Sequence, residues 1–217
     1  MQKNSMKRLK SGIRNFDRLT GGGIPKNQVI LIEGEPGCGK TNLGLEFLYR
    51  GAMKGQNGLF ISFQDTEPEV VRTTTFDWQF GKMIEEESIN IRKFDPYRYE
   101  QISGMLRGTI QENNAKRVVI DPITDLDLYI DNRKDQRKNL LDIKNEMKDM
   151  DCTTFLLAEK EEATELEEEV ADGIIELELV REKGKMERRI YVKKLKGTDF
   201  SQGVHSYIID NDGIKIQ

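Results

Sequence analysis

The amino-acid sequence predicts an α/β fold in which a mostly parallel sheet carries an antiparallel extension at its C-terminal edge. Short apolar runs such as residues 29–32 and 118–121 alternate with amphipathic segments of helical length. Such alternation is typical of parallel strands joined by right-handed helical crossovers. After Ile174 the helical segments stop and strand-like runs separated by turns follow, which predicts antiparallel strands. We expect one domain over residues 1–217.

Each element is predicted from the spacing of its apolar residues. Short continuous apolar runs indicate buried strands, and apolar residues three and four positions apart indicate helices. Predicted strands cover residues 29–32, 58–63, 89–94, 118–121 and 153–158, and predicted helices cover 41–53, 67–76, 97–113 and 136–150. In the extension we expect strands and turns over residues 174–180, 189–195 and 206–216, with a hairpin loop at 182–187.

The composition excludes several classes of protein. The 217 residues carry a net charge of −4, so the chain as a whole does not attract nucleic acid electrostatically. No run approaches the ~20 apolar residues of a membrane-spanning helix, and the basic N-terminus does not resemble a secretory signal. Cys38 and Cys152 lack metal-ligand spacing, and reduced thiols favour a cytoplasmic protein.

A glycine-rich loop at residues 34–41 is the strongest functional signal. It matches the Walker A pattern G-x-x-x-x-G-K-[ST] and lies between a predicted strand and a predicted helix. Its glycines let successive backbone N–H groups turn toward one anion, and the helix adds its positive N-terminal end. The alternative is an ordinary glycine turn before a helix. We expect ATP to bind here through Gly37, Cys38, Gly39, Lys40, Thr41 and Asn42.

Two side chains are expected to hold Mg²⁺ beside the phosphates. In P-loop proteins the metal is held by the loop Ser or Thr and by an acid at a strand end, while the loop lysine reaches the β- and γ-phosphates. Thr41 ends the loop, and Asp121 ends an apolar strand. We therefore expect metal ligation by both and a catalytic role for Lys40. The alternative for Asp121 is to cap the turn that follows it.

Six further segments of the chain form a recognisable set. They are Ser11-Gly12-Ile13, Phe16-Asp17, Gly21-Gly22-Gly23-Ile24-Pro25, Phe76-Asp77-Trp78, Asp121-Pro122-Ile123-Thr124 and Lys194-Leu195-Lys196-Gly197-Thr198. These segments resemble ATPases of the KaiC and RadA type in the RecA superfamily, and the similarity spans nearly the whole chain. The chain resembles single-domain archaeal members of the KaiC-like family. That resemblance implies a RecA-like core that forms a homo-oligomeric ring, often a hexamer, with ATP between neighbouring subunits.

The resemblance also implies further nucleotide contacts. In the family, a Lys-x-Arg segment reaches the γ-phosphate of the adjacent subunit. Lys196 replaces the family arginine, so bidentate binding is lost while the charge is kept. The alternative for these lysines is a solvated strand edge. The residues implied to contact the neighbour's nucleotide are Lys194, Leu195, Lys196 and Thr198, and those implied to lie near the base and ribose are Thr75, Asp210 and Asn211.

The catalytic pair of the family is altered in this chain. KaiC-like ATPases place two adjacent glutamates at the end of the second strand, where one of them activates the attacking water. This chain has Gln64 and Asp65 there. Gln64 can orient a water but cannot accept a proton, and the Asp65 side chain is one methylene shorter than glutamate. The pair either positions water for slow hydrolysis or forms a plain turn before the helix.

An acidic run at residues 159–169 argues against a recombinase. It contains seven glutamates and one lysine at the place where RecA-type recombinases carry DNA-binding loops. Such a run repels phosphates or is simply a solvated face. By the resemblance, Glu159 at its start is a candidate sensor of the γ-phosphate.

Three functional hypotheses remain open at this stage. The first is a slow Mg²⁺-dependent ATPase that assembles as a ring. The second is an ATP-gated regulator or scaffold with negligible hydrolysis, acting on an unknown protein partner. The third is a DNA-repair paralogue of RadA, which only a basic N-terminal cluster supports and the acidic run disfavours. We therefore do not expect nucleic acid as a partner, and the lack of a long apolar run gives no reason to expect a membrane. That cluster consists of Lys3, Lys7, Arg8 and Lys10.

Overall fold

A central mixed sheet organises the protein, which we describe from a computed structural model over residues 6–74, 76, 78–160 and 165–217. Within these residues the main sheet has nine strands in the order β11-β10-β9-β8-β3-β7-β6-β4-β5. The strands are β3 (Val29–Gly34), β4 (Gly58–Ser62), β5 (Ile89–Lys93), β6 (Arg117–Asp121), β7 (Thr153–Glu159), β8 (Gly173–Glu182), β9 (Lys185–Leu195), β10 (His205–Asp210) and β11 (Gly213–Ile216). A separate short ribbon pairs β1 (Arg8–Leu9) with β2 (Ile24–Pro25).

Parallel and antiparallel pairing divide the main sheet as the sequence predicted. The strands from β8 to β5 pair in parallel, whereas β8, β9, β10 and β11 pair with one another antiparallel. The predicted α/β class with a C-terminal antiparallel extension is therefore confirmed. Because the parallel strands all end at one edge of the sheet, the loops that follow β3, β4, β6 and β7 lie side by side there.

Helices cover both faces of the parallel strands. Helix α2 packs on β3, β4, β6 and β7 on one face, while α5, α6 and α7 contribute apolar residues to the opposite face. No helix among the described residues is long and apolar enough to cross a membrane. The helices are α1 (Phe16–Leu19), α2 (Lys40–Ala52), α3 (Glu67–Arg72), α4 (Phe80–Glu85), α5 (Ile102–Asn113), α6 (Arg133–Asp149) and α7 (Glu165–Val170), with 3₁₀ helices at Pro96–Gln101 and Ile123–Tyr129.

The core follows from the two-residue period of the central strand. In β3, Ile30 and Ile32 face α2, whereas Val29 and Leu31 face the opposite layer. All four side chains are fully buried, which is why the run reads as continuously apolar in the sequence.

A fully buried arginine ties the N-terminal segment to α2. Arg117, at the start of β6, donates to the carbonyl oxygens of Lys10, Ser11 and Phe47 and to the side chain of Gln56. Its guanidinium also lies 4.6 Å above the Phe47 ring. Burial lowers the pKa of this arginine to about 10. Without these acceptors the buried charge would be strongly unfavourable.

The predicted hairpin at residues 182–187 is present, but its loop is shorter than expected. Strands β8 and β9 continue up to Glu182 and Lys185, which pair directly, so only Lys183 and Gly184 form the turn. Both turn residues have positive φ, at 49° and 80°. Two consecutive residues in this conformation make the tight turn that matches the twist of a hairpin, so the strand pairing extends to the tip.

Three predicted helices differ from the observed ones at their ends. Helix α3 stops at Arg72 instead of continuing to residue 76. The segment predicted as a helix over 97–113 begins with the 3₁₀ helix Pro96–Gln101 and becomes α-helical only in α5. Helix α6 begins three residues before its predicted start, because the Asn132 side chain accepts a hydrogen bond from the Asp135 N–H at 2.9 Å.

The acidic run at 159–169 is not a continuous loop. Glu159 ends β7 and residues 165–169 lie in α7, while residues 161–164 fall outside the described part of the chain. Its glutamates in α7 are largely neutralised, with Glu167 buried. The ion pairs are Glu165–Arg133 at 2.8 Å, Glu168–Lys193 at 2.6 Å and Glu169–Arg137 at 2.8 Å.

Candidate nucleotide-binding site

The glycine-rich loop joins the central strand β3 to the start of α2. Its backbone requires glycine at two positions, because Gly37 and Gly39 have φ of 81° and 105°. At Gly39 a Cβ atom would also lie 2.5 Å from Cδ1 of Ile209. The hairpin formed by β10 and β11 therefore packs directly against the loop, and the positive φ is what requires glycine at position 39.

Lys40, Thr41 and Asp121 come together at the end of the loop. The Thr41 hydroxyl donates a 2.6 Å hydrogen bond to Oδ2 of Asp121. The Lys40 ammonium donates to the carbonyl oxygens of Gly34 and Glu35 at 2.8 and 3.1 Å. Burial raises the pKa of Asp121 to about 6, against the lowering effects of the Thr41 hydroxyl and the Lys40 charge. The strand end carrying the acid thus lies next to the loop hydroxyl.

These residues line a cavity of about 410 Å³ at the carboxyl edge of the parallel strands. The end of β4 supplies Gln64 and Asp65, and the end of β7 supplies Glu159. Basic, hydroxyl and carboxylate groups from four different strand ends therefore face one space. The lining residues are Pro36, Gly37, Gly39, Lys40, Thr41, Asn42, Phe60, Ser62, Gln64, Asp65, Val70, Thr73, Asp121, Pro122 and Glu159.

The segment after β4 is held by residues that the sequence analysis missed. Ser62 Oγ accepts hydrogen bonds from the backbone N–H groups of Gln64 and Asp65, at 3.3 and 2.8 Å. The side-chain amide of Gln64 donates to Oδ1 of Asp125 at 3.0 Å. A detectable signal existed for Asp125, because it is a second carboxylate four residues after the strand end at Asp121.

Cys38 and Asn42, two of the predicted phosphate-loop contacts, both have side-chain atoms that are buried. The Cys38 side chain is fully buried, and burial raises the pKa of its thiol, so its backbone is the part available to a phosphate. Its carbonyl oxygen accepts a short hydrogen bond from the Tyr207 hydroxyl. Asn42 lines the cavity, and its Oδ1 is buried without a hydrogen-bond partner among the described residues.

The segment predicted to act on a neighbouring subunit lies level with the start of β3, whereas the glycine loop follows the end of β3. Leu195 ends β9 and pairs with Gly173 at the start of β8, far along the strands from the glycine loop. The Lys194 ammonium donates to the carbonyl oxygen of Glu168 at 2.8 Å, and the Leu195 side chain is buried. Within one chain these residues do not join the cavity around Lys40.

The neighbouring residues of that segment are also engaged within the chain. The Lys196 ammonium lies 3.3 Å from Oδ1 of Asp172, and Thr198 Oγ1 accepts a 3.2 Å hydrogen bond from Arg8. Phe200, two residues after Thr198, lines a second cavity of about 450 Å³.

Of the three residues predicted to lie near the base and ribose, the structure describes Asp210 and Asn211. Asp210 ends β10, and Asn211 follows it in the turn of the hairpin that packs on Gly39. The Asp210 carboxylate is paired with Lys215 at 2.7 Å. Thr75 lies outside the described residues.

The fold and the glycine loop together define an ATP-binding protein with a RecA-like α/β core. The family described as ATPase: KaiC matches residues 9–217, and the chain belongs to that family. A solved KaiC-like protein from the hyperthermophilic archaeon Pyrococcus horikoshii has a TM-score of 0.88 and 30% identity, covering 98% of this chain and 99% of the other.

Relatives known by sequence fall into two size classes. A UPF0273 protein of Thermotoga maritima is 29% identical over 97% of this chain and 96% of its own length. The circadian clock oscillator protein KaiC of Parathermosynechococcus lividus is 30% identical over 95% of this chain but only 41% of its own length. This chain thus corresponds to less than half of the clock protein and to nearly all of the UPF0273 protein.

Proposed function

We propose that residues 1–217 form one Mg²⁺-dependent ATPase domain that hydrolyses ATP slowly and assembles as a ring. The observation that carries this proposal is the contact between Thr41 and Asp121 beside the Lys40 ammonium. In P-loop proteins the same three groups hold the metal and the β- and γ-phosphates. Family membership supports the nucleotide, and the local geometry supports the way it binds.

The donor set fits magnesium. Thr41 and Asp121 offer one hydroxyl oxygen and one carboxylate oxygen, and Mg²⁺ prefers a few such hard ligands together with water and phosphate oxygens. When bound, the metal would neutralise charge that develops on the β- and γ-phosphates. Lys40 would add a second positive charge at the β- and γ-phosphates. The remaining residues, Gln64 and Asp65, would position water.

Assembly would complete the site with residues from a second copy of the chain. Lys194 and Lys196 lie at the end of the sheet opposite the glycine loop, so they reach a γ-phosphate only if that phosphate belongs to a neighbour. A head-to-tail contact of this kind generates a closed ring when the rotation closes. The resemblance to KaiC favours six subunits, with ATP at each interface.

Two measurements test the proposal. Phosphate release at saturating Mg·ATP should be detectable but below the ~1–10³ s⁻¹ that is typical of enzymes. The mass of the assembly should be that of a ring in ATP and should fall when nucleotide is removed. A protein that stays monomeric in ATP while binding it tightly would contradict the ring.

A second candidate function is an ATP-gated regulator with negligible turnover. The observation that favours it is Gln64 in place of a glutamate, since an amide cannot take the proton of the attacking water. Such a protein would bind a partner protein in its ATP-bound shape and release it on nucleotide exchange. Binding without phosphate release over many hours would favour this function over the ATPase.

Nucleic acid is not a proposed partner, and the proposed location is the cytoplasm. The net charge of −4 supports weak binding to DNA at most, even though the glutamates of α7 are largely paired with Arg133, Arg137 and Lys193. A DNA titration at several salt concentrations tests this, because phosphate contacts give a steep salt dependence. Tight, salt-sensitive binding would favour the third hypothesis, a DNA-repair paralogue of RadA, over the other two.

A further inference from the structure

The Gln64 side chain has a hydrogen-bond partner outside the cavity lining, in an exposed contact. Gln64 follows β4, and Asp125 lies in the 3₁₀ helix that follows β6, the parallel neighbour of β4. Gln64 Nε2 donates to Asp125 Oδ1 at 3.0 Å. Gln64 lines the 410 Å³ cavity, whereas Asp125 does not. The carboxylate of this pair therefore lies one hydrogen bond away from the reaction space.

The chemistry of the pair sets the direction of the amide. An ionised carboxylate accepts hydrogen bonds and donates none, so the Gln64 amide must turn its Nε2 toward Asp125. Its Oε1 then points away from Asp125 and is free to accept a hydrogen bond. The backbone on which the side chain stands is held on two sides, by Ser62 Oγ at the Gln64 N–H and by the Lys93 ammonium at the Gln64 carbonyl oxygen.

We propose that Asp125 is a positioning residue that holds the Gln64 amide so that Oε1 accepts a hydrogen bond from the attacking water. This inference rests on the proposed ATP hydrolysis. The water oxygen forms a bond to the γ-phosphorus, and the bond from that phosphorus to the bridging oxygen of ADP breaks. The water proton passes to a γ-phosphate oxygen, which gives ADP and dihydrogen phosphate. No protein base takes the proton, which accounts for slow turnover.

The same pair explains why a glutamate at position 64 does not suit this chain. A carboxylate there would lie at hydrogen-bond distance from Asp125, and two like charges this close repel each other and raise the pKa of one of them. Gln64→Glu is therefore expected to act as a base only when Asp125 changes with it. Exchanging the two groups, with Gln64→Glu and Asp125→Asn, keeps one carboxylate, one amide and one hydrogen bond while placing the carboxylate on the cavity side.

The test compares single and exchanged variants by steady-state phosphate release, with the KM for ATP and the thermal midpoint measured on each protein. Asp125→Ala should lower kcat by about 10- to 100-fold with an unchanged KM, because the freed amide no longer fixes the water. Asp125→Asn should keep kcat within a few-fold of wild type, because the asparagine carbonyl accepts the same hydrogen bond. Asp131→Asn, which removes an exposed carboxylate on the same connection, is the matched control.

The exchanged variant is the decisive arm. Gln64→Glu alone should be slower than the exchange, and the exchange should exceed wild type by about 10-fold or more, since a general base contributes ~10²–10⁴-fold. An exchange no faster than Gln64→Glu, or an Asp125→Ala variant that loses thermal stability but keeps kcat, would overturn the inference. An ATP-binding wild type that shows no hydrolysis before or after the exchange would instead remove the proposed ATPase activity, on which the inference rests.

The same purified proteins also show whether the proposed ATPase function itself fails. A wild type that binds no Mg·ATP in an equilibrium titration would remove the ATPase proposal itself. A wild type that binds and hydrolyses ATP, with kcat indifferent to every change at Asp125, would remove only the role of Asp125.

Discussion

Replacing Asp172 with asparagine removes a carboxylate that three lysines share at the start of β8. Asp172 is 3% exposed and lies 2.7 Å from the ammonium of Lys144 and 3.3 Å from those of Lys148 and Lys196. It also accepts the backbone N–H of Val29 at 3.3 Å. The asparagine keeps the shape and an acceptor oxygen but removes the negative charge.

The magnitude follows from the exposure of the three lysines. Lys148 and Lys196 are about half exposed, so each pair contributes ~0–1 kcal/mol. Lys144 is 8% exposed, and breaking a buried pair by removing one partner costs ~3–5 kcal/mol. We therefore expect Asp172→Asn to lower the free energy of unfolding by about 3–5 kcal/mol. Lys144→Met should cost far less, because Asp172 keeps two lysines.

The pH dependence gives an independent check. Burial alone would raise the pKa of Asp172, but the hydrogen bond and charge of Lys144 lower it below its ordinary value of 3.8. A carboxylate with a lowered folded pKa stabilises the fold above its ordinary pKa and loses that contribution as pH falls through the folded value. The difference between wild type and Asp172→Asn should therefore be constant near neutral pH and shrink below about pH 4.

The assay is guanidinium unfolding followed by circular dichroism at pH 7 and at pH 3. A loss below about 1 kcal/mol at pH 7 would refute the assignment of Asp172 as the counterion of a buried lysine. A loss of the expected size that is equally large at pH 3 would refute its electrostatic origin. The Lys144→Met variant serves as the matched control for changes in packing at the same contact.

Three further predictions concern the loop, the buried arginine and the assembly. Gly39→Ala should abolish ATP binding and cost ~1–2 kcal/mol of stability, because the loop needs positive φ there; an unchanged nucleotide titration would contradict this. Arg117→Met should cost at least about 2 kcal/mol by leaving buried carbonyl oxygens without donors, as chemical unfolding would show. A Lys194→Ala, Lys196→Ala double variant mixed with Thr41→Ala should regain some ATPase activity in mixed rings, whereas confirmed mixed rings without any gain would exclude action in trans.

The sequence was sufficient for the parts of the site that depend on local pattern. The glycine loop is a contiguous motif whose flanking strand and helix are set by their own residues, so its place between β3 and α2 follows directly. The parallel core was likewise predictable, because its strands are short and the inner ones carry continuous apolar runs such as residues 29–32. The helix and hairpin ends were missed because they depend on single capping or turn residues, such as Asn132 and Lys183.

Contacts between segments that are distant in the chain could not be predicted from the sequence. Glu165 pairs with Arg133 and Glu169 with Arg137, each 32 positions away, so two charges of this exposed acidic face are balanced by arginines of α6. Gln64 and Asp125 are 61 positions apart, and nothing in either local sequence indicates that they meet. Only the pairing of β4 beside β6 brings them together.

The central claim is that the loop of this chain binds Mg·ATP through Lys40, Thr41 and Asp121, and calorimetric titration of ATP tests it most directly. Wild type should bind ATP more tightly with Mg²⁺ than without it. Thr41→Ala should lose most of that magnesium effect, Lys40→Ala should lose binding itself, and Lys138→Ala, an exposed lysine on α6, should match wild type. Equal affinity in wild type and Lys40→Ala would contradict the account.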